Sequence, residues 1–388
     1  MREREQLVVL YGTGRYTVTE LARHFKVSRK TAHKWLRRYG EGEGDGLLLD
    51  RSRAPLTHPN ATPEAIVAAV VEAKRQHPTW GPLKLTPGEN VPIEVAGAWP
   101  APSTRGAILA RCGLTTPRRR RHHVAPYTQP FAECDRPNAV WCADFKGWFR
   151  TGDGERCDPL TVSDAYSRMV LCCQGLQGTD GSQVRPQFER RFREYGLPEV
   201  MRTDNGPPFA SLGVGGLSRL SVWWIKLGII PERIAPGHPE QNGRHERFHR
   251  TLKEECLRPP AATLAAQQAR FDEFCLSYNS ERPHQALGQQ PPARFYKPSH
   301  RPYPARLTDP DYPLDALVRR IRSNGQVKWR GDLIFVGEAL AGEAIGIRET
   351  DHEWRAYFGP HLLGALDPAK PSLVRIPTTT RSVTHVPS

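Results

Sequence analysis

Three carboxylates stand out by their surroundings: Asp144 in "VWCADFKG", Asp204 in "MRTDNGPPFAS" and Glu246 in "NGRHERFHRTLK". Asp144 lies in an apolar run whose alternation puts Val140, Cys142 and Asp144 on one strand face. A carboxylate placed there is costly unless it is paired or holds a cation. Asp204 follows a strand-like segment and precedes Asn205-Gly206, so a sharp turn presents it at a strand end. Glu246 lies near the start of a helical pattern, with His249, Arg250 and Lys253 three, four and seven residues on along its own face. Carboxylate oxygens are the hard ligands that Mg²⁺ or Mn²⁺ prefer. Two such ions held by three carboxylates can activate water or a 3′-hydroxyl against a phosphodiester.

To gather that trio, residues from about 130 to 300 must fold as strands mixed with helices. "AVWCADFKGWF", "DPLTVSDAYS" and "RMVLCCQGL" read as three consecutive strands, "SQVRPQFERRFREYG" as a helix and "EVMRTDN" as a strand. Then come "LSRLSVWWIKLG", the short "IIPERIAP", a helical stretch from Gly243 to about Leu257, and a last helix, "AAQQARFDEFCLSYN". Three strands, helix, strand, helix, strand and helices is the order of an α/β ribonuclease-H-like core with a mixed sheet. Asp164 in "VSDAYSR" reads as a turn residue bonding the backbone. Tyr278, Asn279, Arg282, Pro283 and His284 read as docking the last helix.

Ahead of this core, residues 1–40 read as a small three-helix domain. Thr17 with Glu20 forms a capping box before "TELARHF", and Ser28 can cap "RKTAHKWLRRY". Ala32, Trp35 and Leu36 face inward, leaving Arg29, Lys30, His33, Lys34 and Arg37 outside. A helix pair whose second member is basic outside is the helix-turn-helix plan. A Gly- and Pro-rich linker follows. A second helical module then contains "TPEAIVAAVVEAKRQHPTWGP" and "PSTRGAILARCGL", with Ser103 as an N-cap and Ile108 and Leu109 as anchors. Residues 84–99 between them have no clear period. Arg118, Arg119, Arg120 and Arg121 end the module as a run suited to phosphate contact. After 310, short alternating segments suggest a small β-barrel, and the last dozen residues have no pattern, as in a disordered tail. The expected division is 1–58, 59–128, 129–300 and 301–388.

The bulk properties agree. A chain of 388 residues suits several domains, and its net charge of +14 with a pI near 9.6 points to a polyanionic partner. No run of about 18 apolar residues is present, which argues against a membrane span. The N-terminus lacks the apolar core of a secretory leader. Eight scattered cysteines form no C-x-x-C pair, so a reduced, cytoplasmic protein is expected rather than a zinc knuckle.

"VWCADFKG", "RTDNGPPF", "PGHPEQNGRHERFHRTLKEE" and "YNSERPHQAL" resemble the integrase core of bacterial insertion-sequence transposases and retroviral integrases. The resemblance covers roughly 135–300, and the helix-turn-helix modules before it are similar to those of the transposases. It implies that Asp144, Asp204 and Glu246 are the metal-binding catalytic triad, holding two Mg²⁺ or Mn²⁺ ions per site. It also implies DNA contact at Lys253, and an assembly of at least two subunits on paired double-stranded transposon ends. Asn242, His249, Arg250 and Lys253 are the expected DNA contacts beside the triad. Glu240 is a rival: it lies 35 intervening residues after Asp204, the spacing often quoted for such enzymes, against 41 for Glu246. Glu240 falls among Pro and Gly residues of a loop, whereas Glu246 begins the helical period, which favours Glu246.

The expected activity is nicking at transposon ends to release 3′-hydroxyls, which then join target DNA. Two other readings stay open: a DNA-binding regulator derived from a transposase but without catalysis, and a hydrolytic nuclease of the same fold. The segment 84–99 puts the second DNA-binding module in question.

Overall fold

The computed structural model describes residues 2–41, 48–50, 61–87, 91–115, 134–211, 213, 215–234, 243–350, 353–367 and 372–374. It forms two compact units, residues 1–63 and 64–388. Among the described residues no helix is long and apolar enough to cross a membrane. Arg118–Arg121, Glu240, Asn242 and the last dozen residues lie outside the described residues.

The first unit holds α1 (Arg2–Gly12), α2 (Val18–His24) and α3 (Arg29–Gly40). Thr17 Oγ1 accepts from the Glu20 amide, while Glu20 Oε2 accepts from the Thr17 amide at 2.8 Å, so the expected capping box starts α2. Ser28 Oγ accepts from the Thr31 amide at 3.1 Å and starts α3. Leu7, Leu21, Ala22 and Ala32 form the core, and Trp35 packs with Val8 and Leu48. The Arg4 guanidinium lies 3.9 Å over the Trp35 ring and donates to the Leu48 carbonyl at 2.8 Å, closing this small core.

The second unit opens with α4 (Glu64–Gln76), α5 (Ile93–Gly97) and α6 (Pro102–Arg111) around Ile66, Val70, Trp80, Leu85, Ile108 and Leu109. Among the described residues of the segment without a period, the one helix is the short α5. The segment is fixed instead by the Leu85 carbonyl, which accepts from Trp99 Nε1 at 3.0 Å and from Arg105. Ser103 is not the cap of α6. Pro102, whose ring presets the first helical φ, takes the first position and Ala101 the cap.

The central sheet contains β1 (Val140–Phe145), β2 (Phe149–Arg150), β3 (Arg156–Asp164), β4 (Val170–Leu176), β5 (Val200–Thr203) and β6 (Ile230–Arg233). The strands run β4-β3-β1-β5-β6, with β2 also paired to β3. β3 is antiparallel to β1 and β4, whereas β5 is parallel to β1 and β6 parallel to β5. This is the mixed sheet of a ribonuclease-H-like core. The helices α7 (Gly181–Tyr195) and α8 (Arg219–Lys226) cover one face, where Phe188, Phe192, Trp223 and Trp224 pack on Trp141, Ala143, Leu160 and Val162. The helices α9 (Gly243–Cys256) and α10 (Leu264–Ser280) pack through Phe248, Leu252, Phe271 and Phe274 onto Cys157, Val170 and Cys173. Asn279 accepts from the Val170 amide at 2.8 Å and donates to its carbonyl at 2.9 Å, so α10 supplies side-chain partners to the β4 edge. All eight cysteines are free thiols.

The C-terminal region has β7 (Leu317–Arg320), β8 (Gln326–Trp329), β9 (Asp332–Phe335), β10 (Ala344–Thr350), β11 (Glu353–Phe358), β12 (His361–Asp367) and β13 (Ser372–Val374). The expected barrel is not formed. The order β13-β12-β11-β10-β7 is an open antiparallel sheet with β7 and β13 at its two edges, and β8 pairs with β9 as a separate hairpin. Alternating strands require one buried face but not closure. That face is buried here against Leu217, Val222 and Ile225 in and beside α8.

Candidate active site

The β1–β3 register pairs Asp144 with Thr161, and the β1–β5 register pairs Cys142 with Arg202. Carried two residues further, the parallel register brings Asp144 level with Asp204 at the C-terminal ends of adjacent strands. Trp141 and Ala143 point to the α7–α8 face, so alternation turns Asp144 toward the α9 side. Asp204 Oδ1 accepts from the Gly206 amide at 3.1 Å, and Asn205 Nδ2 donates to the Ile234 carbonyl at 2.7 Å, tying the turn to the end of β6. Burial raises the Asp204 carboxyl above the usual carboxylate value, and the Gly206 bond opposes this only in part.

Two buried histidines from α9 complete the interior of the site. His245 and His249 are one helical turn apart and both face the sheet. Thr161 Oγ1 donates to the Asp144 carbonyl at 2.9 Å and lies 2.7 Å from Nε2 of each histidine. Ser163 Oγ lies 3.3 Å from His245 Nδ1, and His249 Nδ1 lies 3.9 Å from Asp144 Oδ2. Burial pushes His245 down to about 3; burial, then His245 and Lys146, push His249 down to about 2. Both rings are therefore neutral near pH 7. Burial also lowers the Lys146 ammonium, with Lys253 adding to the shift and Asp144 opposing it, which places both groups within electrostatic reach of Lys146.

Among the described residues, Asp144, His245 and His249 form the one group of such donors whose ligand atoms lie within 4.8 Å of one another. Asp204 is half-buried and outside this group, and Glu246 is exposed in the first turn of α9 beside His245. The expectation that His249 lies in a DNA-facing stripe is corrected. It is 7 % exposed and sits against Thr161, because it lies one turn after His245, in the middle of the helix's inner stripe, while Glu246 stands at the edge of that stripe. The signal was present: His245, Phe248, His249, Leu252 and Cys256 follow the spacing of a buried helical stripe, and all five are buried. Arg250 and Lys253 are exposed on α9, as are Arg29, Lys30, His33, Lys34 and Arg37 on α3.

Asp164 lies apart from this chemistry. It is fully buried and accepts from the Asn138 amide at 2.8 Å, the Ser167 amide at 2.7 Å and the Ser167 hydroxyl at 2.6 Å. Arg282 donates to Glu255, and the Tyr278 ring packs edge-on against Phe248 and His284, so these residues dock helices.

The donor set fits a divalent cation. Two strand-end carboxylates are partly withdrawn from water, one of them held above its ordinary pKa by burial, which a bound cation would reverse.

Integrase core domain models match residues 135–239 and 227–292, and a helix-turn-helix domain model matches residues 3–55. The insertion element IS407 31.7 kDa protein of Burkholderia multivorans is 30% identical over 254 residues, 64% of this chain and 87% of that protein. The insertion element IS476 39.2 kDa protein of Xanthomonas euvesicatoria is 31% identical over 181 residues, 46% of this chain and 50% of that protein. Among solved structures, the HTLV-2 integrase catalytic core domain in complex with magnesium is 16% identical with a TM-score of 0.34, covering 42% of this chain and 99% of that one. The chain belongs to the insertion-element transposases, polynucleotidyl transferases that carry an integrase core domain and a helix-turn-helix domain.

Proposed function

We propose that the protein binds transposon ends as a homo-oligomer, nicks them to expose 3′-hydroxyls and joins these to target DNA. The observation that supports this reading is the parallel β1–β5 register, which ends two residues before Asp144 and Asp204, with Glu246 in the first turn of the helix whose His249 Nδ1 lies 3.9 Å from Asp144. Asp144, Asp204 and Glu246 would hold Mg²⁺ or Mn²⁺, two ions per site. When bound, these ions supply Lewis-acid activation of the attacking oxygen and stabilise the leaving one.

The chain's own residues position the reactants. Lys146, Arg250 and Lys253 offer positive charge beside the carboxylates to hold the phosphate backbone. Arg29, Lys30, His33, Lys34 and Arg37 present a basic helix face to the major groove, with Arg118–Arg121 and Asn242 as further contacts. In the first step water oxygen bonds to phosphorus and the end's 3′-oxygen leaves with a proton. In the second that 3′-oxygen attacks a target phosphorus in line and the target's own 3′-oxygen leaves. No covalent link to the protein is needed, so the residues act by orientation and charge neutralisation.

The test is joining of a labelled 3′ end to plasmid DNA in Mg²⁺. Asp144→Asn, Asp204→Asn and Glu246→Gln should each lower joining by about 10²-fold or more. Full joining by any of them removes that residue from the triad. Loss in Glu240→Gln with retention in Glu246→Gln would transfer the third place to Glu240. Cutting without joining would instead indicate a nuclease.

A further inference from the structure

The hydrogen bonds around Thr161 decide which nitrogen of each buried histidine carries its proton. A carbonyl oxygen only accepts, so the Thr161 hydroxyl gives its single proton to the Asp144 carbonyl at 2.9 Å. The same hydroxyl oxygen stands 2.7 Å from Nε2 of His245 and 2.7 Å from Nε2 of His249, and it can now only accept from both. Each ring thereby carries a hydrogen on Nε2 toward Thr161, which leaves Nδ1 as the nitrogen that can offer a lone pair. On His245 that lone pair faces the Ser163 hydroxyl at 3.3 Å, which can donate to it. On His249 it faces Asp144 Oδ2 at 3.9 Å.

A lone pair and a carboxylate oxygen cannot hydrogen-bond to each other, but one cation can be bound by both. A divalent ion such as Zn²⁺ binds imidazole nitrogen and carboxylate oxygen at about 2.0–2.2 Å each, so two such bonds span at most about 4.4 Å end to end. The observed separation of 3.9 Å lies within that span.

We propose that a divalent ion bound by Asp144 also takes His249 Nδ1, making the metal centre a mixed nitrogen–oxygen site. Such a site favours Mn²⁺, Co²⁺ or Zn²⁺ over Mg²⁺, which prefers oxygen alone. Thr161 acts as the positioning residue, since it holds both the tautomer of His249 and the backbone of Asp144. His245, whose Nδ1 is matched to Ser163, is outside the coordination sphere. This inference rests on the reading of Asp144 as a metal ligand.

The test uses the full chain with Mn²⁺ as probe and pulsed electron paramagnetic resonance as readout. Bound Mn²⁺ should show ¹⁴N modulation from one imidazole. The modulation should vanish in His249→Asn and persist in His245→Asn. Competition against Mg²⁺ should show the Mn²⁺ preference falling by about tenfold or more in His249→Asn. Bound Mn²⁺ without ¹⁴N modulation overturns the proposal, as does modulation that survives in His249→Asn, or a failure of Mn²⁺ to bind at all. Asp144→Asn separates the two levels. If it abolishes Mn²⁺ binding while the unsubstituted chain shows no ¹⁴N modulation, only the histidine inference fails. If it leaves Mn²⁺ binding and DNA joining unchanged, the functional reading of Asp144 fails first.

Discussion

Asp144, Asp204 and Asp164 are the same side chain in three environments, and their partners separate their roles. Asp164 satisfies both carboxylate oxygens with protein donors, which fixes a turn and leaves nothing to bind a substrate. Asp164→Asn turns one acceptor into a donor against a backbone N–H. This should lower unfolding free energy by about 1–3 kcal/mol in denaturant melts while the folded fraction keeps its joining activity. Asp204 instead receives one amide bond and stays under a desolvation penalty, as suits a ligand. His284 gives a pH prediction. Burial, aided by Lys84, Arg282 and Arg168, holds its imidazole down to about 3, and its Nε2 is buried without a partner among the described residues. The unfolded chain, with an ordinary histidine value near 6.5, takes up the proton first as pH falls, so stability is lost from there downward. His284→Phe should flatten the fall of melting temperature between pH 6.5 and 4; an unchanged slope would show that other groups set it.

At the scale of elements, α9 divides its residues between a buried stripe and the exposed flank next to it. Its inner stripe of His245, Phe248, His249, Leu252 and Cys256 anchors it to the sheet and brings imidazoles to Asp144, while Glu246, Arg250 and Lys253 remain outside. α3 divides more simply: Ala32 and Trp35 are buried and the basic residues are exposed. Because Arg29 and Lys30 hold no part of the core, replacing both by Ala should leave the melting temperature within a degree or so. If both contact phosphate, the slope of log affinity for duplex DNA against log salt should flatten by about two. Fluorescence anisotropy across a salt series measures this, and an unchanged slope would take both residues out of the interface.

Across the larger unit, α8 ties two cores together. Leu220, Trp223 and Trp224 belong to the core of the central sheet, whereas Val222 and Ile225 belong to that of the C-terminal sheet. Lys226 adds contacts to Asp309 at 3.1 Å and Glu343 at 2.9 Å. The helical module at 64–115 docks through Thr79, which donates to Glu255, itself paired with Arg282. A chain ending at residue 300 should therefore melt lower and aggregate, since Val222 and Ile225 lose their cover. Val222→Ser with Ile225→Gln should rescue the solubility of that shortened chain and destabilise the full one, as light scattering and thermal melts would show. Equal behaviour of the two chains would mean that the sheets do not support each other.

What the sequence determined by itself is what local physics writes into short stretches. The capping box at Thr17 and the cap at Ser28 depend on residues three apart, and the strands of the core depend on alternation, so all were legible. Asp144 and Asp204 were legible because an acid at a strand end is anomalous on local grounds alone. His245 was not read as part of the site and His249 was read as a DNA contact, although their stripe was in the sequence, because their meaning depends on Thr161 and Ser163 more than 80 residues away. Ser103 looked like a cap until Pro102 took the first helical position. The barrel failed for the same reason as the histidines: alternation specifies which face is buried, and only the tertiary structure decides what buries it. Here α8 and the β8–β9 hairpin share that core, and the sheet stays open.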